Sequence, residues 1–120
     1  MSDCIFCKLA NHEIPTERIY EDEEVFAFKD QAPKAPIHYL FVPKKHVESA
    51  NALKDDATIV AKIFQAIAKV AERDGFAQKG YRVINNCGDD GGQSVHHLHF
   101  HVLAGEPIRF PSFDEEENNK

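Results

Sequence analysis

The run His97-Leu98-His99-Phe100-His101-Val102-Leu103 sets three imidazoles at alternate positions among large apolar residues. Successive side chains of an extended chain point to opposite faces. The spacing therefore predicts His97, His99 and His101 on one face, with Leu98, Phe100 and Val102 buried on the other. Alternate residues of a strand stand about 7 Å apart, so one phosphate or one metal ion can involve more than one ring. Histidine fills strands poorly and is costly when buried without a partner. Three of them point to nucleophilic, acid–base or metal chemistry. Just upstream, Asn86-Cys87-Gly88-Asp89-Asp90-Gly91-Gly92-Gln93-Ser94 carries three glycines, which allow close backbone approach and can turn N–H groups toward an anion. Gln93 and Ser94 add side-chain donors beside the histidine face. No Gly-Lys-Ser/Thr follows, so this is not a Walker loop.

Cys4-Ile5-Phe6-Cys7 is a second chemical pattern. A lone CxxC pair is ambiguous among a redox pair, half of a zinc site and chance. No thioredoxin-like βαβ pattern surrounds it, which argues against redox catalysis. Three cysteines are an odd number for a disulfide framework, and a reducing compartment argues against bridges.

The elements that must position these residues follow from patterning. Ile5–Asn11 reads as a short helix stopped near Ile14-Pro15. Glu17–Tyr20 and Val25–Phe28 read as two strands of a hairpin joined by the acidic turn Glu21-Asp22-Glu23-Glu24. Gln31–Pro36 is a loop, and His38–Val42 is a continuous apolar run suited to a central strand that Pro43 ends. Asp55–Asp74 is the one long helix. Ile59, Val60, Ile63, Phe64, Ile67, Val70 and Ala71 form its apolar stripe, for a core or dimer interface, and Gly75 is its C-terminal cap. Tyr81–Asn85 and His97–Leu103 complete the strands. The order predicts an α+β fold: an antiparallel sheet of about five strands with one long and one short N-terminal helix.

At 120 residues the chain is expected to form one domain over residues 1–113, with the acidic stretch 114–120 disordered by composition. Hydrophobic content of 42% and charged content of 28% suit a soluble globular chain. No apolar stretch spans a bilayer, and Met1-Ser2-Asp3-Cys4 lacks the basic-then-apolar pattern of a signal peptide. A cytoplasmic protein without a membrane partner is the expectation. A net charge of −6 with scattered lysines and arginines argues against a nucleic-acid partner. Any phosphate is expected to be gripped by local donors in a small pocket.

The histidine run together with its loop resembles the histidine triad (HIT) family, whose signature alternates three histidines with apolar residues. Gly91-Gly92-Gln93-Ser94-Val95 looks like its Hint branch, the nucleotide-binding, phosphoramidase-like members. Ile5-Phe6, Glu13-Ile14-Pro15, Phe26–Asp30 and His38–His46 extend the likeness over nearly the whole chain. The resemblance implies hydrolysis of purine nucleoside 5′-phosphoramidates. In that reading His99 is the nucleophile and forms a nucleotidyl-histidine that water then cleaves, which turns one hard displacement into two easier ones. One ring nitrogen of His99 is then held by a backbone carbonyl, and His101 donates to a phosphate oxygen. Gln93 and the loop amides stabilise the developing charge. Ser94 meets the leaving group, Asn86 faces the phosphate, and His38 supports the triad from the adjacent strand.

By the same resemblance Asp30 accepts both ribose hydroxyls, although by itself it also reads as a loop cap before Ala32-Pro33. Ile5, Phe6, Leu9 and Phe28 match an apolar base cleft, although by themselves they read as core. Some bacterial HIT proteins hold a zinc on the N-terminal cysteine pair and two histidines. The matching positions are Cys4, Cys7, His46 and His97, a closed tetrahedral structural set. No cofactor is required for catalysis in this reading, and the partners are a purine nucleotide and a second copy of the chain. Cys87 is read as a non-catalytic loop cysteine, His96 as facing away from the triad and His12 as an exposed loop residue. Three alternatives stay open. They are a nucleotide- or partner-binding protein with incidental turnover, a dinucleoside polyphosphate hydrolase, and a metal-dependent hydrolase. The last would need a carboxylate beside the triad, and none lies on that strand.

Overall fold

A computed structural model describes residues 4–108, and the acidic stretch expected at 114–120 lies outside them. The elements are α1 (Ile5–Ala10), β1 (Arg18–Glu21), β2 (Val25–Lys29), β3 (Ile37–Pro43), α2 (Thr58–Asp74), β4 (Arg82–Ile84) and β5 (Phe100–Ala104), with a 3₁₀ turn at Ala50–Leu53. The strands form one antiparallel sheet in the order β1-β2-β3-β5-β4. The α+β architecture expected from the pattern is the one observed. No described helix is long and apolar enough to cross a membrane.

Alternation along the strands sends side chains into two separate cores. Val25, Ala27, Tyr39, Phe41, Leu98, Phe100 and Val102 face α2, where Ile63, Ala66, Ile67, Val70 and Ala71 meet them. Phe26, Phe28, Leu40 and Val42 point to the opposite face, where Phe6, Leu9 and Ala10 of α1 cover them. The sheet therefore has α2 on one side and α1 with the histidines on the other. Gly75 caps α2 as expected, because at φ 84° it adopts the left-handed conformation and returns its N–H to Ala71 O at 3.0 Å.

Two element boundaries are corrected. The long helix starts at Thr58 rather than Asp55, since Asp56 Oδ1 takes the Thr58 N–H at 3.0 Å and caps the first turn from outside. Phe64, part of the stripe read as core or dimer interface, is 46% exposed, with its ring edge-on to Phe100 at 5.7 Å. The last strand begins at Phe100, not His97. Ladder pairing with β3 ends at Phe41↔Phe100, and upstream of it the Leu98 N–H goes instead to Val47 O at 2.6 Å. The alternation of faces nevertheless survives through the irregular stretch, since Leu98 joins the core under α2.

The hairpin turn is organised by Asp22, whose Oδ1 accepts from the Glu24 and Val25 N–H groups at 2.8 Å each. Beside it, Glu21 collects Lys44 at 2.7 Å, His12 at 2.9 Å and Arg18 at 3.1 Å. The Lys44 ammonium, then the His12 ring, hold the Glu21 carboxyl down at about 2 from 4.5. A depressed carboxyl stabilises the fold above its unfolded value and loses that contribution as pH falls toward its folded value. Urea unfolding should therefore show Glu21→Gln about 1 kcal/mol less stable at pH 7, the scale of a surface network. The difference should shrink between pH 4.5 and 2. A gap that stays constant over that window would contradict the assignment.

Candidate active site

The three triad residues are buried, and each ring's hydrogen bonds specify which nitrogen carries the proton. His97 lies 2.8 Å from Pro43 O through Nε2. A carbonyl only accepts, so Nε2 is the protonated nitrogen and Nδ1 carries the lone pair. His99 lies 2.7 Å from His97 O through Nδ1. Its proton therefore sits on Nδ1, and Nε2 is left as the basic, nucleophilic nitrogen. The Asn85 amide donates to His99 O at 2.9 Å and fixes the backbone on the other side. Asn85 was missed in the sequence, where it reads only as the end of a strand.

His38 sets the third ring. The Lys34 N–H donates to His38 Nδ1 at 3.0 Å, so the His38 proton is on Nε2. That nitrogen lies 2.9 Å from His101 Nδ1. His101 Nδ1 accepts, and its proton is carried on Nε2. The pair His99 and His101 thus presents one lone pair and one N–H, with ring centroids 5.2 Å apart. A nucleophile beside a donor is what displacement at a phosphate needs.

Asp30 is brought to this pair from the β2–β3 loop. Its Oδ1 accepts from the Ala32 N–H at 2.8 Å, the loop-capping role, while Oδ2 stands 3.4 Å from His38 Nε2. Asp30, His38 and His101 offer ligand atoms mutually within 4.8 Å. A carboxylate does therefore reach the triad, although none lies on its strand. The Lys34 N–H nevertheless occupies His38 Nδ1 and leaves a proton, not a lone pair, on Nε2. The set is a hydrogen-bonded relay.

The loop before the triad is built to one shape. Gly88 and Gly92 have φ of 76° and 83°, and a Cβ on Gly91 would stand 2.4 Å from Cys87 O. Gln93 is buried, with Oε1 accepting from the Gly88 N–H at 2.9 Å and Nε2 donating to Glu48 O at 2.8 Å and Val95 O at 3.0 Å. Both Nε2 hydrogens are thus engaged. Gln93 braces the loop in this arrangement, where backbone carbonyls take the hydrogens expected to meet a phosphate. Ser94 is exposed at the loop's end and Asn86 is half-buried at its start. The residues expected to form a base cleft divide: Ile5 is 42% exposed, whereas Phe6, Leu9 and Phe28 are buried in the core under α1. His96 is exposed, and His12 is an exposed residue paired with Glu21.

Cys4, Cys7, His46 and His97 offer ligand atoms mutually within 4.8 Å. Cys4 Sγ lies 3.2 Å from His97 Nδ1, Cys7 Sγ 3.3 Å from His46 Nδ1, and Cys7 Sγ 3.5 Å from His97 Nδ1. Sulfur and nitrogen on a tetrahedral zinc are about 3.6 Å apart, so the donors fit that ion with small adjustment. Burial pushes His97 down to about 4, so it is neutral with Nδ1 available. Its Nε2–H on the Pro43 carbonyl is the outer hydrogen bond that metal-binding imidazoles make. Burial, and then the neighbouring Cys4, push the Cys7 thiol up to about 11. A dication would reverse that and hold both as thiolates. The residues fit a structural zinc.

Comparisons with known proteins bear on the family and the fold. The family model described as HIT domain matches residues 11–108. Protein HitA of Neisseria gonorrhoeae is 40% identical over 109 residues, covering 90% of this chain and all of that one. The purine nucleoside phosphoramidase of Escherichia coli strain K12 is 37% identical over 107 residues, covering 88% of this chain and 90% of that one. A histidine triad protein from Clostridium difficile superposes with a TM-score of 0.90 at 52% identity, covering 93% and 98% of the two chains. A HIT family hydrolase from Legionella pneumophila gives 0.88 at 40% identity, covering 91% and 98%.

Proposed function

This chain belongs to the HIT family and is a hydrolase of it, and we propose that its reaction is cleavage of purine nucleoside 5′-phosphoramidates through a nucleotidyl-His99 intermediate. The observation that carries the proposal is the opposed pair of tautomers, a lone pair on His99 Nε2 beside a proton on His101 Nε2. The name of the E. coli relative, a purine nucleoside phosphoramidase, supports the substrate class.

In this mechanism His99 Nε2 attacks the α-phosphorus in line and forms an N–P bond as the P–N bond to the amine breaks. The amine leaves with the bonding pair and takes a proton that solvent supplies through the Ser94 hydroxyl. The His97 carbonyl, already bonded to Nδ1–H at 2.7 Å, stabilises the positive ring. His101 Nε2–H and the loop amides meet the charge on the phosphoryl oxygens, with Asn86 at their edge. Water then adds to phosphorus, His99 Nε2 departs with its electron pair, and the nucleoside monophosphate and a proton are released. Asp30 accepts the ribose hydroxyls on its remaining lone pairs. The base lies against the exposed flank of Ile5, with Phe6, Leu9 and Phe28 packed behind it.

We also propose that Cys4, Cys7, His46 and His97 hold a structural zinc, which supplies cross-linking of the fold and no catalysis. The chain is further proposed to be a cytoplasmic homodimer, with half-exposed Phe64 on α2 supporting a covered face there.

Adenosine 5′-phosphoramidate and diadenosine tetraphosphate distinguish the proposed reaction from the dinucleoside polyphosphate alternative. We expect AMP release from the phosphoramidate with kcat/KM at least about 10²-fold above that for diadenosine tetraphosphate, a preference of about 3 kcal/mol. AMP that binds while neither compound is turned over would overturn the enzymatic reading in favour of a binding protein.

A further inference from the structure

We propose that the Cys4–Cys7–His46–His97 cluster is a clamp that holds α1 against the nucleophile, so that metal loading sets nucleotide affinity. The proposal rests on the nucleotide reading and on the fit of the cluster to zinc, and goes beyond both. It assigns the metal site a control over the pocket.

Helix α1 has only six residues, far too few to persist by its own hydrogen bonds. Both thiols belong to its first turn: Cys4 is the N-cap, with its Sγ accepting from the Cys7 N–H at 3.4 Å. The other ligands come from elsewhere in the chain, His46 from just beyond β3 and His97 from just before β5. One ion on these four would tie the first turn of α1 to both central strands.

His97 is where the clamp meets the chemistry. Its Nδ1 faces the two thiols, and its carbonyl accepts from His99 Nδ1 at 2.7 Å. Between the two cysteines, the Phe6 ring stands edge-on to His97 at 6.0 Å and to His99 at 5.1 Å. Phe6 also meets Phe28 at 5.4 Å, so the same ring joins the nucleophile to the proposed base wall. Ile5, the exposed part of that wall, lies between the two ligands in sequence.

The core on the α2 side is independent of this corner, whereas α1 covers Phe26, Phe28, Leu40 and Val42 on the opposite face. The core between the sheet and α2 includes no α1 residue. Local opening of this six-residue segment can therefore occur while the α2-side core persists. Removing the ion should loosen α1 and Phe6, while the α2-side core keeps the five-stranded sheet together.

The test uses the full chain in zinc-loaded and metal-stripped forms, with AMP as the probe. Hydrogen exchange of amides 5–10 should rise at least about tenfold on stripping, while far-UV circular dichroism changes little. AMP affinity by titration calorimetry should fall about tenfold, because the pocket loses preorganisation. His46→Ala, which removes an exposed ligand side chain, should reproduce the same loss without a chelator and guards against stripping artefacts. Unchanged exchange and unchanged AMP affinity in both comparisons would overturn the clamp. So would a chain that takes up no zinc. A chain whose residues 5–10 tighten on zinc loading but which binds AMP in neither form upholds the metal's hold on α1 and overturns the nucleotide reading instead.

Discussion

His99→Ala is expected to lower turnover of adenosine 5′-phosphoramidate by at least about 10³-fold while AMP affinity stays within about threefold. Removing a nucleophile takes away the covalent route itself, and losses of this size are usual. Binding should survive because the proposed grips on the nucleotide, Asp30, Ile5 and the loop amides, are untouched. His99 is buried and its ring meets Phe6 and His101 edge-on, so truncation also leaves a small void. His99→Gln keeps most of that volume and should be equally inactive, which separates lost chemistry from lost packing. Steady-state kinetics with calorimetric AMP binding on both variants decides the matter. Activity within tenfold of the parent in either variant would contradict the role given to His99.

The second large effect is expected at His38. Its Nε2–H on His101 Nδ1 at 2.9 Å is what turns the His101 proton outward on Nε2. Without that donor His101 can put its proton on Nδ1, leaving a lone pair where the phosphate needs a donor. His38→Ala should therefore lower kcat about 10²-fold, the size of one acid–base contribution, with KM changed far less. His38→Gln retains an N–H donor and should recover part of the loss. A purely structural role predicts instead that both variants lose activity in proportion to stability. Equal kcat for the Ala and Gln variants would contradict the positioning role.

Much of this site was legible in the residues because side-chain alternation is a local property. His99 and His101 lie side by side, with ring centroids 5.2 Å apart, although β5 begins only at Phe100. Where the ladder begins was not legible. It depends on where β3 stops offering partners, and the register ends at Phe41↔Phe100. Gln93 illustrates a second limit. Its type and place suggested a phosphate donor, but Glu48 O, 45 residues away, takes one of its hydrogens. Asp30 was read for a ribose, and its approach to His38 at 3.4 Å appears only once the β2–β3 loop is folded. Cys4 and Cys7 declared themselves by spacing. His46 carried no local signal and was reached only through resemblance, because nothing in its own segment says that it meets residues 4 and 97. Phe64 fits the helical period of α2 yet is half-exposed, since a face can be apolar without the same chain covering it.

The nucleotidyl-His99 intermediate is tested most directly by trapping it. The enzyme is mixed with adenosine 5′-phosphoramidate in excess, quenched within milliseconds in alkaline denaturant that preserves P–N bonds, and read by mass spectrometry of the intact chain and its peptides. A mass increase of one adenylyl group on the peptide carrying His99, present in the parent chain and missing in His99→Gln, is the predicted result. Full turnover with no adenylylated chain at any quench time, or the adenylyl group on His97 or His101, would contradict it.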